Sequence, residues 1–524
     1  MNRRLLAAAL AILSLGCLLQ AAWGYSHSDL SGHAAGSDDA YISYRYALNL
    51  IAGHGLVFNP GERVEGYTNL LYVLLMAPLA WLAGPERLYP LSVALNFGFA
   101  ALAVIQVGSF ISRRLDGFRG GLAVVLLALC PSIWVAVASG LETSLVLCLQ
   151  VGIWISVEEA AEGRKNRLLL VAGLSVLLIL TRADGFLMPG LAAVFLFLKG
   201  RRRAGLAIAA TAAATVAGLV LWRLSYYGWP LPNTYYAKVS GTPGARIDVA
   251  LEQLSLIVST TGLLLHVFAL LLLVLELARR RSSALSFPVL FFLPWVGYWI
   301  YVGGDVFYER FLLILFPMGL FAILSLVKEA RPRALARLAV AVCAVQLIQI
   351  PTDPRFAYLP DHYDRWVLLG RHIGEHHPGA VLASDAVGKV PYFSGLRTID
   401  MLGLTDVHIA HRPPNPGRAV PGHSKTDPGY VISRRPDLIA TWISYSLDME
   451  WGLVRDVYEP AGYRIRYLVN AGRDPMEPNL IDAAGLSDEE ISRKVGLGYG
   501  YGVLELRTRD TTEEPGAFEG ETNG

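Results

Sequence analysis

Long apolar stretches alternate with short polar segments over the first two thirds of the chain. Residues 1–351 contain apolar runs separated by brief charged segments, whereas residues 352–524 mix apolar and polar positions as a soluble domain does. A helix that spans a membrane needs about 20 mostly apolar residues. The pattern therefore predicts a helical membrane domain at 1–351 followed by a globular domain.

Clusters of Lys and Arg recur along the apolar region, and two apolar stretches lie between most neighbouring clusters. Short basic loops stay in the cytoplasm, so the alternation predicts a cytoplasmic N-terminus and an extracytoplasmic domain at 352–508, in a multi-pass protein of the inner or plasma membrane. The segment 68–83 would break this alternation if it crossed the bilayer, and it is short and contains Pro78. We expect it to form an interfacial or re-entrant helix within a first outer loop at 24–89. About 11 spans are then predicted, near residues 5–23, 90–112, 120–139, 142–157, 168–181, 186–198, 204–222, 253–278, 284–302, 311–327 and 338–351.

Composition narrows the class of protein. The 524 residues are 54% hydrophobic and 17% charged, below the roughly 25% charged residues of soluble domains. The net charge is only +2, and the chain has no basic stripe interleaved with aromatic residues, so a nucleic-acid partner is not expected. The four cysteines all lie in apolar segments, which excludes a disulfide framework in the globular domain.

Ionisable residues concentrate in the predicted outer loops, and the middles of the predicted spans are nearly devoid of them. Ionisable side chains grouped at the outer end of a helix bundle predict a cavity that opens to the outside of the membrane. A secondary transporter more often carries ionisable groups near the membrane midplane. A flippase or transporter of a lipid-linked sugar nevertheless stays open as the alternative to an enzyme.

The densest candidate site is Ser37–Asn69, SDDAYISYRYALNLIAGHGLVFNPGERVEGYTN. Its apolar spacing predicts an amphipathic helix that begins at Asp38 or Asp39 and ends at Gly53 and Gly55. Adjacent carboxylates at a helix start have a structural interpretation, because they cap the helix and favour the positive end of its dipole. In the functional interpretation one carboxylate is a general base, and the other orients it, binds a cation or holds the substrate hydroxyl.

Several motifs together resemble a family of GT-C glycosyltransferases that includes the mycobacterial terminal β-(1→2)-arabinofuranosyltransferase. They occur in the expected order over about residues 37–440. Besides the first-loop motif they are SGLET (Ser139–Thr143), TRADG (Thr181–Gly185), PLPNTYYAK (Pro230–Lys238), GGDVFYERF (Gly303–Phe311), DAVGKVPYFSGLRTIDMLGLTDVHIA (Asp385–Ala410) and PGHSK (Pro421–Lys425).

The resemblance implies a GT-C fold, a polyprenyl-phosphate-linked sugar donor and an inverting transfer to an extracytoplasmic glycan or lipid acceptor. It implies a first-loop acid as catalytic base, at Asp38 or Asp39, and arabinofuranose as the sugar. Relatives more often have TRPEG where this chain has TRADG, which keeps an acid at Asp184 and loses the proline. A divalent cation bridging the Asp pair and the donor phosphate stays possible on the sequence alone.

The donor phosphate is expected to meet Arg182, Lys238 or Arg310 near the outer interface. Aromatic residues of the outer loops can stack on sugar faces. The complete set of candidate substrate-binding residues is Tyr41, Arg45, Glu65, Tyr67, Asn69, Glu142, Arg182, Asn233, Lys238, Asp305, Arg310, Asp385, Asp406, His423 and Lys425.

The globular domain alternates short apolar strands with helical stretches, which predicts a small α/β domain. The predicted strands are 380–384, 438–444, 463–468 and 503–507, and the main predicted helix is 362–376. The domain is expected either to contact the acceptor or to serve as a purely structural cap. Residues 509–524 are acidic and are expected to be disordered.

Overall fold

The computed structural model describes residues 3–27, 36–164, 166–239, 243–261, 286–305, 310–327, 331–337, 364–415, 422–470 and 479–507, together with residues 271 and 340. Four sequence predictions lie wholly or mostly outside these residues: the spans near 253–278 and 338–351, the domain boundary near 351 and the tail at 509–524.

Helices build the N-terminal two thirds of the described chain. They are α1 (Arg3–His27), α2 (Asp38–Ile51), α3 (Leu70–Ala83), α4 (Leu88–Arg114), α5 (Gly117–Ala128), α6 (Pro131–Ala138), α7 (Thr143–Ala161), α8 (Asn166–Thr181), α9 (Leu187–Leu198), α10 (Arg202–Tyr226), α11 (Asn233–Lys238), α12 (Pro243–Thr261), α13 (Phe287–Val302) and α14 (Leu315–Leu326). Short 3₁₀ turns occur at Pro85–Arg87 and Arg310–Leu312. The apolar runs within the described residues are therefore helical, as their composition predicts.

Three helical segments of the described chain are long and apolar enough to cross a membrane, namely Pro85–Arg114, Thr143–Ala161 and Arg202–Tyr226. Helices α5 and α6 qualify only as a pair. Their axes differ by 54° at the break between them, which makes the pair a broken span or a re-entrant loop where one continuous span was predicted. Shorter apolar helical stretches of 10–17 residues also occur, such as Leu6–Leu18 within α1, so the number of spans stays a prediction.

Helices α2 and α3 are both 14 residues long, too short for the roughly 20 residues of a span. Helix α3 contains Pro78 and lies within the predicted segment 68–83. Its placement at the membrane interface stays a prediction. Helix α2 was predicted to be amphipathic, but residues 40–47 are all buried. Its second face is covered because α3 and the helix Lys389–Ser394 of the C-terminal domain both pack on it.

The C-terminal domain is a mixed six-stranded sheet with helices. Its elements are α15 (Arg365–His376), β1 (Val381–Ser384), α16 (Lys389–Ser394), β2 (Arg397–Asp400), α17 (Val407–Ala410), α18 (Pro428–Ser433), β3 (Leu438–Trp442), α19 (Arg455–Tyr458), β4 (Tyr463–Val469), β5 (Leu480–Asp482), α20 (Asp488–Gly496) and β6 (Tyr501–Leu506). The strand order is β2-β1-β3-β6-β4-β5. Strands β2, β1 and β3 are parallel, and β6, β4 and β5 pair antiparallel.

All four predicted strands and the predicted helix are present. Sequence patterning missed β2 and β5, which are only four and three residues long. Side chains alternate between two apolar cores along each central strand, as the period of two requires. In β3, Leu438 and Ala440 face the core shared with α15, and Ile439 faces the opposite core.

Candidate active site

A cleft of about 1020 Å³ of atom-free space, part of it open to solvent, lies where the first loop, α11 and the ends of several helices meet the C-terminal domain. Eight of the sequence candidates line it. These are Asp39, Tyr67, Asn69, Glu142, Arg182, Lys238, Asp305 and Arg310. The C-terminal domain contributes Leu404 to the wall. Residues more than 300 positions apart in the sequence thus share one cavity.

Arg182 forms an ion-pair cluster on one side of the cleft. Its Nε donates to Oδ1 of Asp184 at 2.7 Å, and its Nη1 donates to Oε1 of Glu142 at 3.3 Å. Burial disfavours the charged guanidinium, but Asp184 and Glu142 outweigh burial and hold the pKa of Arg182 above its usual value. Because both carboxylates already engage Arg182, the guanidinium is fixed before any substrate arrives.

Asn69 connects this cluster to α2. Its amide Nδ2 donates to Oε2 of Glu142 at 2.8 Å, and its Oδ1 accepts a hydrogen bond from Ser43 at 3.1 Å. All three residues line the cleft. Ser43 could not be singled out from the sequence, because a lone serine within an apolar helix pattern is commonplace.

Arg310 is oriented by Asp305 through two hydrogen bonds of 2.7 and 3.0 Å. The backbone N–H of Asp305 donates in turn to Oε1 of Gln253 at 2.7 Å. Gly304 has φ +78°, and an added Cβ would overlap Oε1 of Gln253, so this turn requires glycine. Both Arg182 and Arg310 lie over the ring of Phe311, with their guanidinium carbons 3.9 and 5.4 Å from its centroid.

Asp39 has a different environment from the other cleft acids. Its Oδ2 lies 3.8 Å from Nζ of Lys238, beyond hydrogen-bond distance, and the two side chains are 28% and 34% exposed. Glu142, Asp184 and Asp305 all accept hydrogen bonds from arginine. Among the cleft acids in the described residues, Asp39 is therefore the carboxylate that accepts no protein hydrogen bond.

Asp38 points away from the cleft and holds the C-terminal domain. Its two carboxylate oxygens accept hydrogen bonds from the backbone N–H groups of Gly388 at 2.9 Å and Lys389 at 2.7 Å, at the start of α16. An added Cβ on Gly388 would overlap the backbone oxygen of Asp38, so this close approach requires glycine. Burial raises the pKa of Asp38 to about 7, although the two N–H groups act in the opposite direction.

Arg45 also joins the domains. It donates to the carbonyl oxygens of Phe58 at 2.8 Å and Leu396 at 2.7 Å, and to that of Pro391. Burial lowers the pKa of Arg45 to about 10. Its N–H groups donate to backbone carbonyls on both sides of the domain interface. Arg45 therefore helps to dock the C-terminal domain and does not line the cleft.

Asn233 and Lys425 reinforce the same interface from the other end. Asn233 Nδ2 donates to the carbonyls of Gly403 at 2.8 Å and Leu404 at 3.1 Å. Lys425 Nζ donates to the carbonyls of Tyr236 at 2.8 Å and Ala410 at 2.7 Å. Burial lowers the pKa of Lys425.

Glu65 of the first loop forms an ion pair with Arg223 of α10. Three N–O distances of 2.8 to 3.1 Å make the pair bidentate, and Glu65 and Arg223 are only 2% and 5% exposed. Burial raises the pKa of Glu65 to about 7 against the lowering effect of Arg223. The pair fixes the loop that carries Tyr67 and Asn69 into the cleft.

The remaining candidates lie outside the cleft. Tyr41 is buried among other aromatic rings, with Tyr392 of the C-terminal domain at a centroid distance of 5.1 Å. Asp385 accepts hydrogen bonds from three side chains of its own domain, including Tyr501 at 2.6 Å, and burial raises its pKa. Asp406 caps α17. The ring of His423 lies 6.0 Å from that of Trp451.

No three His, Cys, Asp or Glu side chains in the described ranges converge in a geometry that could hold a metal ion. The cation suggested for the Asp pair would need Asp38 and Asp39 to face one point. Both oxygens of Asp38 instead accept backbone N–H groups of α16. Asp38 and Asp39 therefore do not form a shared cation site in this structure.

Comparison with solved structures decides the fold. The chain superposes on ArnT from Cupriavidus metallidurans bound to undecaprenyl phosphate with a TM-score of 0.54 and 12% identity, covering 94% of this chain and 97% of that one. The fold is the GT-C fold. The Archaeoglobus fulgidus oligosaccharyltransferase, solved with a tethered acceptor peptide, gives a TM-score of 0.50 at 12% identity over 88% of this chain and 73% of its own.

Sequence comparison adds two curated relatives of this GT-C protein, both named terminal β-(1→2)-arabinofuranosyltransferase. The Mycobacterium tuberculosis relative is 30% identical over 336 residues, which are 55% of this chain and 52% of that protein. The Corynebacterium glutamicum relative is 30% identical over 231 residues, 38% of this chain and 33% of its own. The match thus spans about half or less of the length of these relatives. It confirms the resemblance noted in the sequence: over this part of its length the chain is similar to the arabinofuranosyltransferases.

The C-terminal domain has a match of its own. Residues 359–474 match the family model described as Domain of unknown function (DUF8728). This range includes the segments that bind Asp38, Arg45 and Asn233 across the interface.

Proposed function

We propose that this GT-C protein is an inverting glycosyltransferase that uses a polyprenyl-phosphate-linked sugar and works on the outer face of the membrane. The observation that carries the proposal is the carboxylate of Asp39, which is partly exposed in the cleft and accepts no protein hydrogen bond there. The names of the curated relatives and the lipid phosphate in the ArnT structure support the substrate class.

Asp39 serves as the general base. It accepts the proton of an acceptor hydroxyl as the oxygen attacks the anomeric carbon of the donor sugar. The bond between that carbon and the lipid phosphate oxygen breaks, and the phosphate leaves with the electron pair. Attack and departure occur on opposite faces of the sugar in one displacement, so the anomeric configuration inverts. Asp38, whose oxygens are occupied at the domain interface, positions α2 and does not exchange protons with substrate.

Phosphate is a competent leaving group, so the protein contributes positioning and charge stabilisation. Lys238 and Arg310 are the proposed phosphate contacts. Lys238 is loosely held at 3.8 Å from Asp39 and can turn toward a ligand. Arg182 already forms ion pairs with Asp184 and Glu142. Its proposed role is therefore to hold the side chain of Glu142 and the ring of Phe311 in position.

The acceptor is a glycan or lipid of the cell envelope in this proposal, and arabinofuranose is the first sugar to test. The similarity to the arabinofuranosyltransferases supports this choice of sugar. The alternation of basic loops supports the outward orientation of the cleft and of the C-terminal domain.

The test is a transfer assay with purified protein in detergent, a synthetic polyprenyl-phosphate arabinofuranose donor and short glycan acceptors, with products identified by mass spectrometry. Asp39→Asn is expected to lower kcat by about 10²–10⁴ because a general base contributes that much. Asp488→Asn is the matched control, since Asp488 is also a first-turn aspartate, is 60% exposed and does not line the cleft. Full activity of Asp39→Asn would overturn the assignment, and movement of the sugar lipid across proteoliposomes without product would favour the flippase.

A further inference from the structure

Aromatic rings continue outward from the cleft along the domain interface. Tyr235 lines the cleft and is 42% exposed. Its ring centroid lies 5.7 Å from that of Tyr236. The ring of Tyr236 lies 4.2 Å from that of His411 and 5.8 Å from that of Trp229, and Trp229 and His411 are 4.2 Å apart. The two rings of each of these pairs are therefore in van der Waals contact or nearly so.

Both domains contribute to this aromatic surface, defined by Trp229, Tyr235, Tyr236 and His411. Trp229 and the α11 residues Tyr235 and Tyr236 belong to the membrane domain, and His411 follows α17 in the C-terminal domain. Lys425 holds the two sides together, because its ammonium group donates to the carbonyls of Tyr236 and Ala410, the residue before His411. The rings are thus fixed in place, which lowers the entropy that a ligand must offset on binding.

The chemistry of the surface matches a carbohydrate. Trp229 is 41% exposed, and it combines an apolar face with a polar N–H, as the tyrosines combine one with a hydroxyl. The C–H faces of sugar rings pack on such aromatic faces while the sugar hydroxyls stay solvated. Next to His411, Arg412 forms an ion pair with Asp427, which also accepts from His408.

The same neighbours disfavour a lipid surface. An interfacial tryptophan normally lies beside an apolar, lipid-facing belt, whereas Trp229 packs against a histidine of the C-terminal domain. A polar, uncharged chain that starts at the cleft is the better match to the surface.

We propose that the aromatic surface is an acceptor subsite that binds sugar units of a glycan chain beyond the unit that reacts at Asp39. This inference rests on the proposed glycosyltransferase function, and it adds the substrate class: the acceptor is a glycan of several units whose remote units contribute to binding. Uniform binding of remote units lowers KM without raising kcat.

The experiment compares a short acceptor, which fills only the cleft, with acceptors of increasing length. Trp229→Ala is expected to raise KM about tenfold for long acceptors, the loss that corresponds to about 1.4 kcal/mol. KM for the short acceptor and kcat for both are expected to stay unchanged. Trp81→Ala is the matched control, because Trp81 is 74% exposed at the end of α3 and outside this surface.

Calorimetric binding of the same glycans to the full-length protein without donor separates this inference from the proposed function. Weaker binding of long glycans to Trp229→Ala would support the subsite even if the transfer assay failed with every donor. An equal change in KM for short and long acceptors would overturn the subsite. So would a change that appears only when the lipid composition of nanodiscs is varied, since it would make Trp229 a bilayer contact.

Discussion

The neighbouring aspartates Asp38 and Asp39 are expected to respond differently to the same substitution. Asp39→Asn removes the proposed base but breaks no hydrogen bond within the described structure, only an ion pair at 3.8 Å between partly exposed groups. Such pairs contribute about 0–1 kcal/mol. The variant is therefore expected to keep its unfolding free energy and lose its transferase activity.

Asp38→Ala is expected to do the reverse. It leaves the N–H groups of Gly388 and Lys389 without their acceptors inside the domain interface. Each unsatisfied donor costs about 1–3 kcal/mol, so the variant is expected to lose about 2–6 kcal/mol of stability. Asp38→Asn keeps one acceptor oxygen for one of the two N–H groups. It should therefore lose about 1–3 kcal/mol of stability, less than Asp38→Ala, and retain its transferase activity.

The pH dependence of stability checks the same argument. Burial raises the pKa of Asp38 to about 7, above the value of about 3.9 in an unfolded chain. The folded state therefore binds more protons between these values. The stabilising contribution of Asp38 is complete below about pH 4 and is lost as the pH rises through about 7. Asp38→Asn should lack this part of the pH dependence.

The assays are thermal and chemical unfolding in detergent at pH 4 to 8, limited proteolysis of the C-terminal domain, and initial rates of transfer on each variant. The reasoning is refuted if Asp38→Asn is folded and as inactive as Asp39→Asn, because Asp38 would then take part in the chemistry. It is refuted as well if Asp38→Ala unfolds like the wild-type protein.

Two further substitutions test the packing that supports the site. Gly388→Ala should destabilise the docked C-terminal domain, because its Cβ would overlap the backbone of Asp38, while Gly485→Ala, with open space around the added methyl, should leave the melting temperature unchanged; equal effects would contradict the close-approach argument. Arg223→Met leaves Glu65 buried without its cation and should lower the unfolding free energy by about 3–5 kcal/mol. The added substitution Glu65→Gln should recover most of this loss in a denaturant titration, and no recovery would argue against an uncompensated charge as the cause.

Local patterns in the sequence were sufficient for most of the helices and strands. Helix α2 begins at Asp38, one of the two predicted starts, and Gly53 and Gly55 follow its end with positive φ. The predicted strands of the C-terminal domain are present because their apolar alternation serves two cores. The bend between α5 and α6 was missed, since apolar composition does not reveal where a helix axis changes direction.

The sequence predicted many of the residues that line the cleft, but few of the contacts between them. The outer-loop motifs contain the residues that meet in the cleft, such as Glu142, Arg182 and Arg310. Asp184 was visible as an acid within TRADG, but its ion pair with Arg182 depends on the turn after α8. Leu404 lies within the Asp385–Ala410 motif, but its presence in the cleft depends on how the C-terminal domain docks.

The sequence by itself determined that this is a helical membrane protein with an α/β C-terminal domain, and it placed an aspartate pair in the first loop. Periodicity and hydropathy are local properties of the chain, so they can be evaluated without knowing which helices and strands pack against each other. Only the tertiary structure separated the pair. Asp38 and Asp39 are successive residues at a helix start, so their side chains leave the helix about 100° apart. One meets the backbone of α16 and the other meets the cleft, because a domain more than 300 residues away in the chain packs against that turn.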